Sequence, residues 1–247
     1  MRTTIILFWT AAAAVLTAGC HWVRGVSGPV IRGSGVLLKE VRPVSGLDRV
    51  TLRGSGKAIL IQGEEEGLTI ETDANLLPYI ESRVVNGCLI VEPKGGATLK
   101  PTRGIRYELR FKRLGEISLE GAFEAEGKSV KADTLEARIS GSGTIRLDRV
   151  EAEELRLSVS GSGKVSWAGS AARQSVRISG SGDYRAGGLR SGEAEARISG
   201  SGNVVVWATD RLEARISGSG SVSYYGRPQI VQSISGSGKL RFLGEKP

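Results

Sequence analysis

Ser-Gly-Ser-Gly occurs six times, beginning at Ser140, Ser160, Ser179, Ser199, Ser217 and Ser235, at steps of 20, 19, 20, 18 and 18 residues. A period near 20 marks stacked supersecondary units, none of which can bury a core alone. Shorter Gly-Ser-Gly copies stand at Gly33 and Gly54, and a degenerate copy, Glu120-Gly121-Ala122-Phe123, lies one 20-residue step before Gly141. Flexible linkers share this composition, but the flanks here alternate. Leu135-Glu-Ala-Arg-Ile139 and Leu212-Glu-Ala-Arg-Ile216 precede their motifs, and Thr144-Ile-Arg-Leu147 and Lys239-Leu-Arg-Phe242 follow theirs. Period-two alternation means strands with one buried face.

Counted from the first Ser of each motif, the apolar positions are −3, −1, +5 and +7, and the glycines at +1 and +3 share their parity. The motif therefore predicts a sharp bend whose inside has no room for a Cβ. The column at −1 reads Ile139, Val159, Ile178, Ile198, Ile216 and Ile234, and that at +5 reads Ile145, Val165, Tyr184, Val204, Val222 and Leu240. Such columns stack on themselves about 4.8 Å apart in parallel strands. The expected fold is all-β: a right-handed parallel β-helix, or β-solenoid, with coils of about 18–20 residues, the hand following from crossover chirality. Toward the N-terminus, Val50–Arg53, Ala58–Gln62, Leu68–Glu71, Leu89–Glu92 and Ile105–Arg110 read as strands, Asn86-Gly87 as a turn and Asn75–Pro78 as a helical turn.

Residues 1–19 read as an export signal. Arg2 supplies the positive end, Thr3 to Leu16 is an uncharged apolar stretch too short to span a bilayer, and Leu16-Thr17-Ala18-Gly19-Cys20 resembles a bacterial lipobox, with Thr17 where Leu is commoner. Cys20 is then the lipid-attachment site, and several acyl chains there would anchor the chain stably. The alternative is an ordinary secretory signal that contains a Cys. His21 in place of Asp makes an outer-membrane lipoprotein of the cell envelope, periplasmic or surface-exposed, the default expectation. The expected organisation is a signal peptide at 1–19, a lipidated Cys and tether at 20–30, and one solenoid domain at 31–247. Cys88 has no partner once Cys20 is lipidated and reads as a small apolar strand residue.

The functional inventory is thin. One His, two Cys and one Met leave no Ser-His-Asp triad, His-rich metal site or zinc ribbon, so neither cofactor nor metal is expected. Glycine reaches 35 of 247 residues, but only seven prolines and no G-X-Y register exclude collagen. Gly127-Lys128-Ser129 resembles the end of a phosphate-binding loop, but Ala122 stands where a glycine is needed. The formal charge of +8 and pI near 9.7 suit polyanions. No aromatic-interleaved basic motif points to nucleic acid.

Two candidate ligand surfaces remain. The outward column at −2 contains Arg138, Arg177, Arg197 and Arg215, interrupted by Ser158 and Ser233, with Glu136, Glu195 and Glu213 two residues earlier on the same strands. It reads as a solvated Glu/Arg ladder or as a basic strip for an acidic glycan or lipid head group. At +8, Trp207 and Tyr225 fall on consecutive coils, either as a corner contact or as a shelf for sugar rings.

Val44-Ser-Gly-Leu-Asp-Arg-Val50, Arg53-Gly-Ser-Gly56, Asp73-Ala-Asn-Leu-Leu-Pro-Tyr-Ile80, Val85-Asn-Gly-Cys-Leu-Ile-Val91, the Ser-Gly-Ser-Gly ladder and Tyr225-Gly-Arg-Pro-Gln229 resemble the putative auto-transporter adhesin, head GIN domain family, with Leu47 where Phe is common. The resemblance covers nearly all of the chain after the signal and implies an exported, often lipid-anchored bacterial envelope protein of β-helical type, with no catalytic set to carry over. The expected function is adhesin-like binding of glycan or extracellular-matrix ligands, with the membrane as a second partner through Cys20. A non-binding structural component and a β-helix polysaccharide lyase or hydrolase are the alternatives. The chain is not expected to be an enzyme, since Asp133, Asp148, Asp183 and Asp210 form no paired spacing.

Overall fold

The computed structural model describes residues 28–246. The signal segment at 1–19, Cys20 and most of the tether lie outside the described residues. The strands in chain order are β1 (Val30–Arg32), β2 (Leu37–Arg42), β3 (Arg49–Gln62), β4 (Gly67–Asp73), β5 (Ile80–Val85), β6 (Cys88–Pro93), β7 (Thr98–Lys100), β8 (Arg106–Phe111), β9 (Glu116–Gly141), β10 (Thr144–Gly161), β11 (Lys164–Gly180), β12 (Asp183–Gly200), β13 (Asn203–Gly218), β14 (Ser221–Tyr225), β15 (Gln229–Gly236) and β16 (Lys239–Phe242). From β3 and β9 onward they wind into a β-solenoid of about six turns. All of its coil-to-coil pairs are parallel.

The glycine corner holds the register. Gly141, Gly161, Gly180, Gly200, Gly218 and Gly236 align coil on coil, as do Gly54 and Gly121, and the N–H of Ser142 links the two runs by donating to the Gly121 carbonyl at 3.0 Å. The two glycines of the motif serve different purposes. The first adopts a positive φ, +125° at Gly200, and a Cβ there would lie 2.5 Å from the Gly180 carbonyl oxygen. The second points inward, where a Cβ on Gly202 would lie 2.7 Å from Cγ2 of Ile178. The uneven repeat length is absorbed elsewhere. Register shifts fall between Leu147 and Val150, Ser166 and Ala168, Arg185 and Arg190, and Ser191 and Glu193, never at a Ser-Gly-Ser-Gly corner.

The inward columns form one continuous core. Ile139, Val159, Ile178, Ile198 and Ile216 are buried, as are Ile145, Val165, Tyr184, Val204 and Val222. Only in the last coil do these columns open to solvent, at Ile234. Coil interiors also hold a polar group that the columns do not announce. Gln174 stands where Leu135, Leu155 and Leu212 stand in other coils. Its amide donates to Ser191 Oγ at 2.7 Å, and Tyr184 donates to its carbonyl at 3.0 Å. Burial pushes the Tyr184 phenol far above its ordinary range.

The N-terminal segment caps the solenoid with antiparallel pairs (β2 with β4, β4 with β8, β5 with β6), which the repeat does not foreshadow. Asn86 and Gly87 have φ of 49° and 77° and make the tight turn between β5 and β6, while Leu77–Tyr79 forms the short 3-10 turn. The copy of Gly-Ser-Gly at Gly33 is not a coil corner. It wraps the buried carboxylate of Asp73, whose oxygens accept the N–H of Gly35 at 2.6 Å and both the N–H and hydroxyl of Thr102 at 2.8 Å. A Cβ on Gly33 would lie 2.3 Å from that carboxylate, which is why a glycine is required. The Thr102 N–H, followed by the other donors, holds the Asp73 carboxyl below the usual carboxylate range.

Candidate functional site

The register brings part of the predicted arginine column together. Arg177, Arg197 and Arg215 occupy successive coils and pair in register, with neighbouring strands about 4.8 Å apart. Arg138 is separated from them by Ser158. The four guanidinium side chains are about half exposed, between 41% and 54%. An open groove of about 510 Å³ runs beside the trio, lined by the arginines and by Ser179, Ser199 and Ser217. The serines project outward because each follows a buried, inward isoleucine, Ile178, Ile198 or Ile216, along its strand.

Like charges at this spacing repel, and the acids offset them as the sequence suggests. Glu195 is the hub: it pairs with Arg197, lies 3.6 Å from Arg215 and 3.9 Å from Arg177, and accepts the hydroxyl of Ser175 at 3.1 Å. Arg215 is also held by Glu213, whose carboxylate lies 2.5 Å away, and Arg138 by Glu116 and Glu136. The trio is thus three cations over two anions. It is a net positive strip whose guanidiniums are paired to carboxylates and remain about half exposed. No motif marks Glu195 as a shared partner; the one-coil offset that puts it between two arginines comes from stacking.

The aromatic pair also forms. Trp207 and Tyr225 are register partners on β13 and β14. Their shelf is covered by the C-terminal tail, which sequence reasoning missed. The ammonium of Lys246 sits 4.3 Å from the Tyr225 ring centroid and 5.6 Å from that of Trp207, and it donates to the Gly187 carbonyl. The tail is fixed there by the Leu243 N–H, which donates to the Tyr224 carbonyl at 2.8 Å, and by Arg227, which donates to Glu245 at 2.6 Å. Neither aromatic lines the arginine groove, so the two candidate surfaces are separate.

Among the described residues no group of three or more His, Cys, Asp or Glu side chains is placed to hold a metal, and no helix is long and apolar enough to cross a membrane. Cys88 is a half-buried free thiol whose sulfur lies 3.6 Å from the Thr51 hydroxyl.

Residues 46–228, which hold most of the stacked glycine corners, the parallel coils and the antiparallel pairs of β4 with β8 and β5 with β6, match the model of the putative auto-transporter adhesin, head GIN domain. The chain belongs to this family. No curated protein matches it. Among solved structures it is similar to a putative lipid binding protein from Parabacteroides distasonis, at 27% identity and a TM-score of 0.71, over 87% of this chain and 99% of that one. It is also similar to a putative adhesin from Bacteroides fragilis, at 22% identity and a TM-score of 0.80, over 87% and 100%. A putative adhesin from Parabacteroides merdae matches over the same shares, at 22% identity and a TM-score of 0.69. Family and fold are those of an adhesin-like protein of the envelope or exterior.

Proposed function

We propose that this head GIN domain protein is exported, anchored in the outer membrane through lipid on Cys20, and binds an anionic glycan of the matrix or envelope along Arg177, Arg197 and Arg215 without catalysing a reaction. The observation that carries the reading is the in-register trio over an open groove with exposed hydroxyls beside it. A linear polyanion presents charge at a regular interval, and a stacked solenoid answers with cations at its own interval. The outward serines can donate to or accept from sugar hydroxyls between the charges. The anchor reading rests on the lipobox-like Leu16–Cys20.

The test is binding of the purified protein to acidic and neutral polysaccharides at low and physiological salt. Arg197→Glu with Arg215→Glu reverses two of three cations and is expected to weaken acidic-glycan binding at least tenfold and to flatten its salt dependence. Glu195→Gln frees the arginines from their shared acid and is expected to strengthen it. Indifference of binding to both variants would leave the column a ladder that keeps the coils soluble and in register.

A further inference from the structure

The solenoid's two ends differ. The first described residues lie at the cap, where Val30–Arg32 pairs with Thr98–Lys100, and the edge strand there, β2, carries Lys39, Glu40 and Arg42. At the other end β15 pairs only with β13, and β16 only with β14. Among the described residues nothing covers their outer edges. Core positions that are sealed one coil earlier are open here: Leu212 and Ile216 are buried, whereas Ile230 and Ile234, stacked on them, are 42% and 39% exposed.

Exposed strand edges are normally guarded by charge. In the five preceding coils this stretch carries two or three charged residues, as in Arg211, Glu213 and Arg215, or Glu193, Glu195 and Arg197. β15, Gln229-Ile-Val-Gln-Ser-Ile-Ser-Gly236, carries none. Val231 replaces the outward acid of Glu213, and Gln232 takes the inward place of Ala214. Of the two strands left open at this end, β16 keeps Lys239 and Arg241, whereas β15 has no charged guard.

We propose that β15 is a self-association surface, on which two copies of this chain meet end to end across a two-fold axis with their β15 strands antiparallel. The occupant follows from charge. A neutral edge meets its own copy without opposing like charges, and a two-fold contact needs only one self-complementary patch. Residues opposite one another in an antiparallel pair share a face. With the axis at Gln232, that residue faces Gln232 of the second copy, Ile230 faces Ile234 and Val231 faces Ser233. Both buried isoleucine contacts and an amide–amide pair then close the exposed core. This surface does not depend on the glycan reading. If Cys20 is the anchor, the association would occur at the end distal to the membrane.

Sedimentation of the full-length protein, kept soluble in mild detergent, is the test. The wild type should show a concentration-dependent monomer–dimer equilibrium through the micromolar range. Gln232→Glu is nearly isosteric, lies on the exposed last coil above Ala214, and sets two carboxylates face to face; it should weaken the dimer at least tenfold at neutral pH and recover on acidification. Val231→Glu restores the acid of the preceding coil and should weaken it too, with an unchanged melting temperature for the monomer. A wild type that stays monomeric overturns the proposal, as does a dimer indifferent to both variants or one that grows into open-ended filaments.

Discussion

Replacing Gly200 with valine tests the corner on which the solenoid depends. Two costs add at this position. Its φ of +125° lies in territory that L-residues avoid, which costs about 1–3 kcal/mol. The new Cβ would sit 2.5 Å from the Gly180 carbonyl oxygen, an overlap that only backbone displacement relieves, at about 1–3 kcal/mol more. The preceding coil cannot recede, because Gly180 is itself stacked on Gly161. A total of roughly 4 kcal/mol corresponds to a fall in melting temperature of about 8–16 °C for a chain of this size. Thermal unfolding followed by far-ultraviolet circular dichroism measures it, with Ser201→Val as the control. That residue is exposed on the outside of the same corner, so its substitution should change stability by no more than about 0.5 kcal/mol. If Gly200→Val melted within about 2 °C of wild type, or no lower than the Ser201 control, the corner would tolerate a side chain and the account of the repeat would be wrong.

Gln174→Leu matches Leu155 of the preceding coil but strips the buried Tyr184 hydroxyl of its acceptor and Ser191 of one donor; it should destabilise by about 1–3 kcal/mol, and a more stable variant in denaturant titration would refute this. Because the Asp73 carboxyl is held below its ordinary range, its ionised form stabilises the fold above the unfolded-state carboxylate range and loses that contribution as pH falls through the lower folded value. Asp73→Asn, which turns an NH2 toward donors, should therefore lower the melting temperature at neutral pH and leave a shallower acid dependence; parallel acid profiles of the two proteins would exclude the role.

The cap explains why part of the chain resists reading by repeat. Its elements were legible one at a time: the Asn86-Gly87 turn, the short helical turn near Pro78 and the strands around Val50, Leu68, Leu89 and Tyr107. Their pairing was not, since antiparallel registers depend on partners such as β2 and β4 that carry no shared motif. The Gly-Ser-Gly at Gly33 shows the same limit. Its letters match Gly54-Ser-Gly, but one copy wraps Asp73 and the other turns a coil, because a glycine's freedom can serve either purpose.

The candidate surfaces divide in the same way. Alternation and step length alone place Arg177, Arg197 and Arg215 on one outward face and Trp207 beside Tyr225, because parallel stacking turns sequence period into spatial column. Only the tertiary structure decided that Glu195 is shared among three arginines, that Lys246 lies over the aromatic pair, and that Gln174 satisfies a tyrosine one coil on. A period fixes which residues align, whereas partners reached by long side chains or by a folded-back tail depend on distances between coils, and these exist only once the coils have stacked.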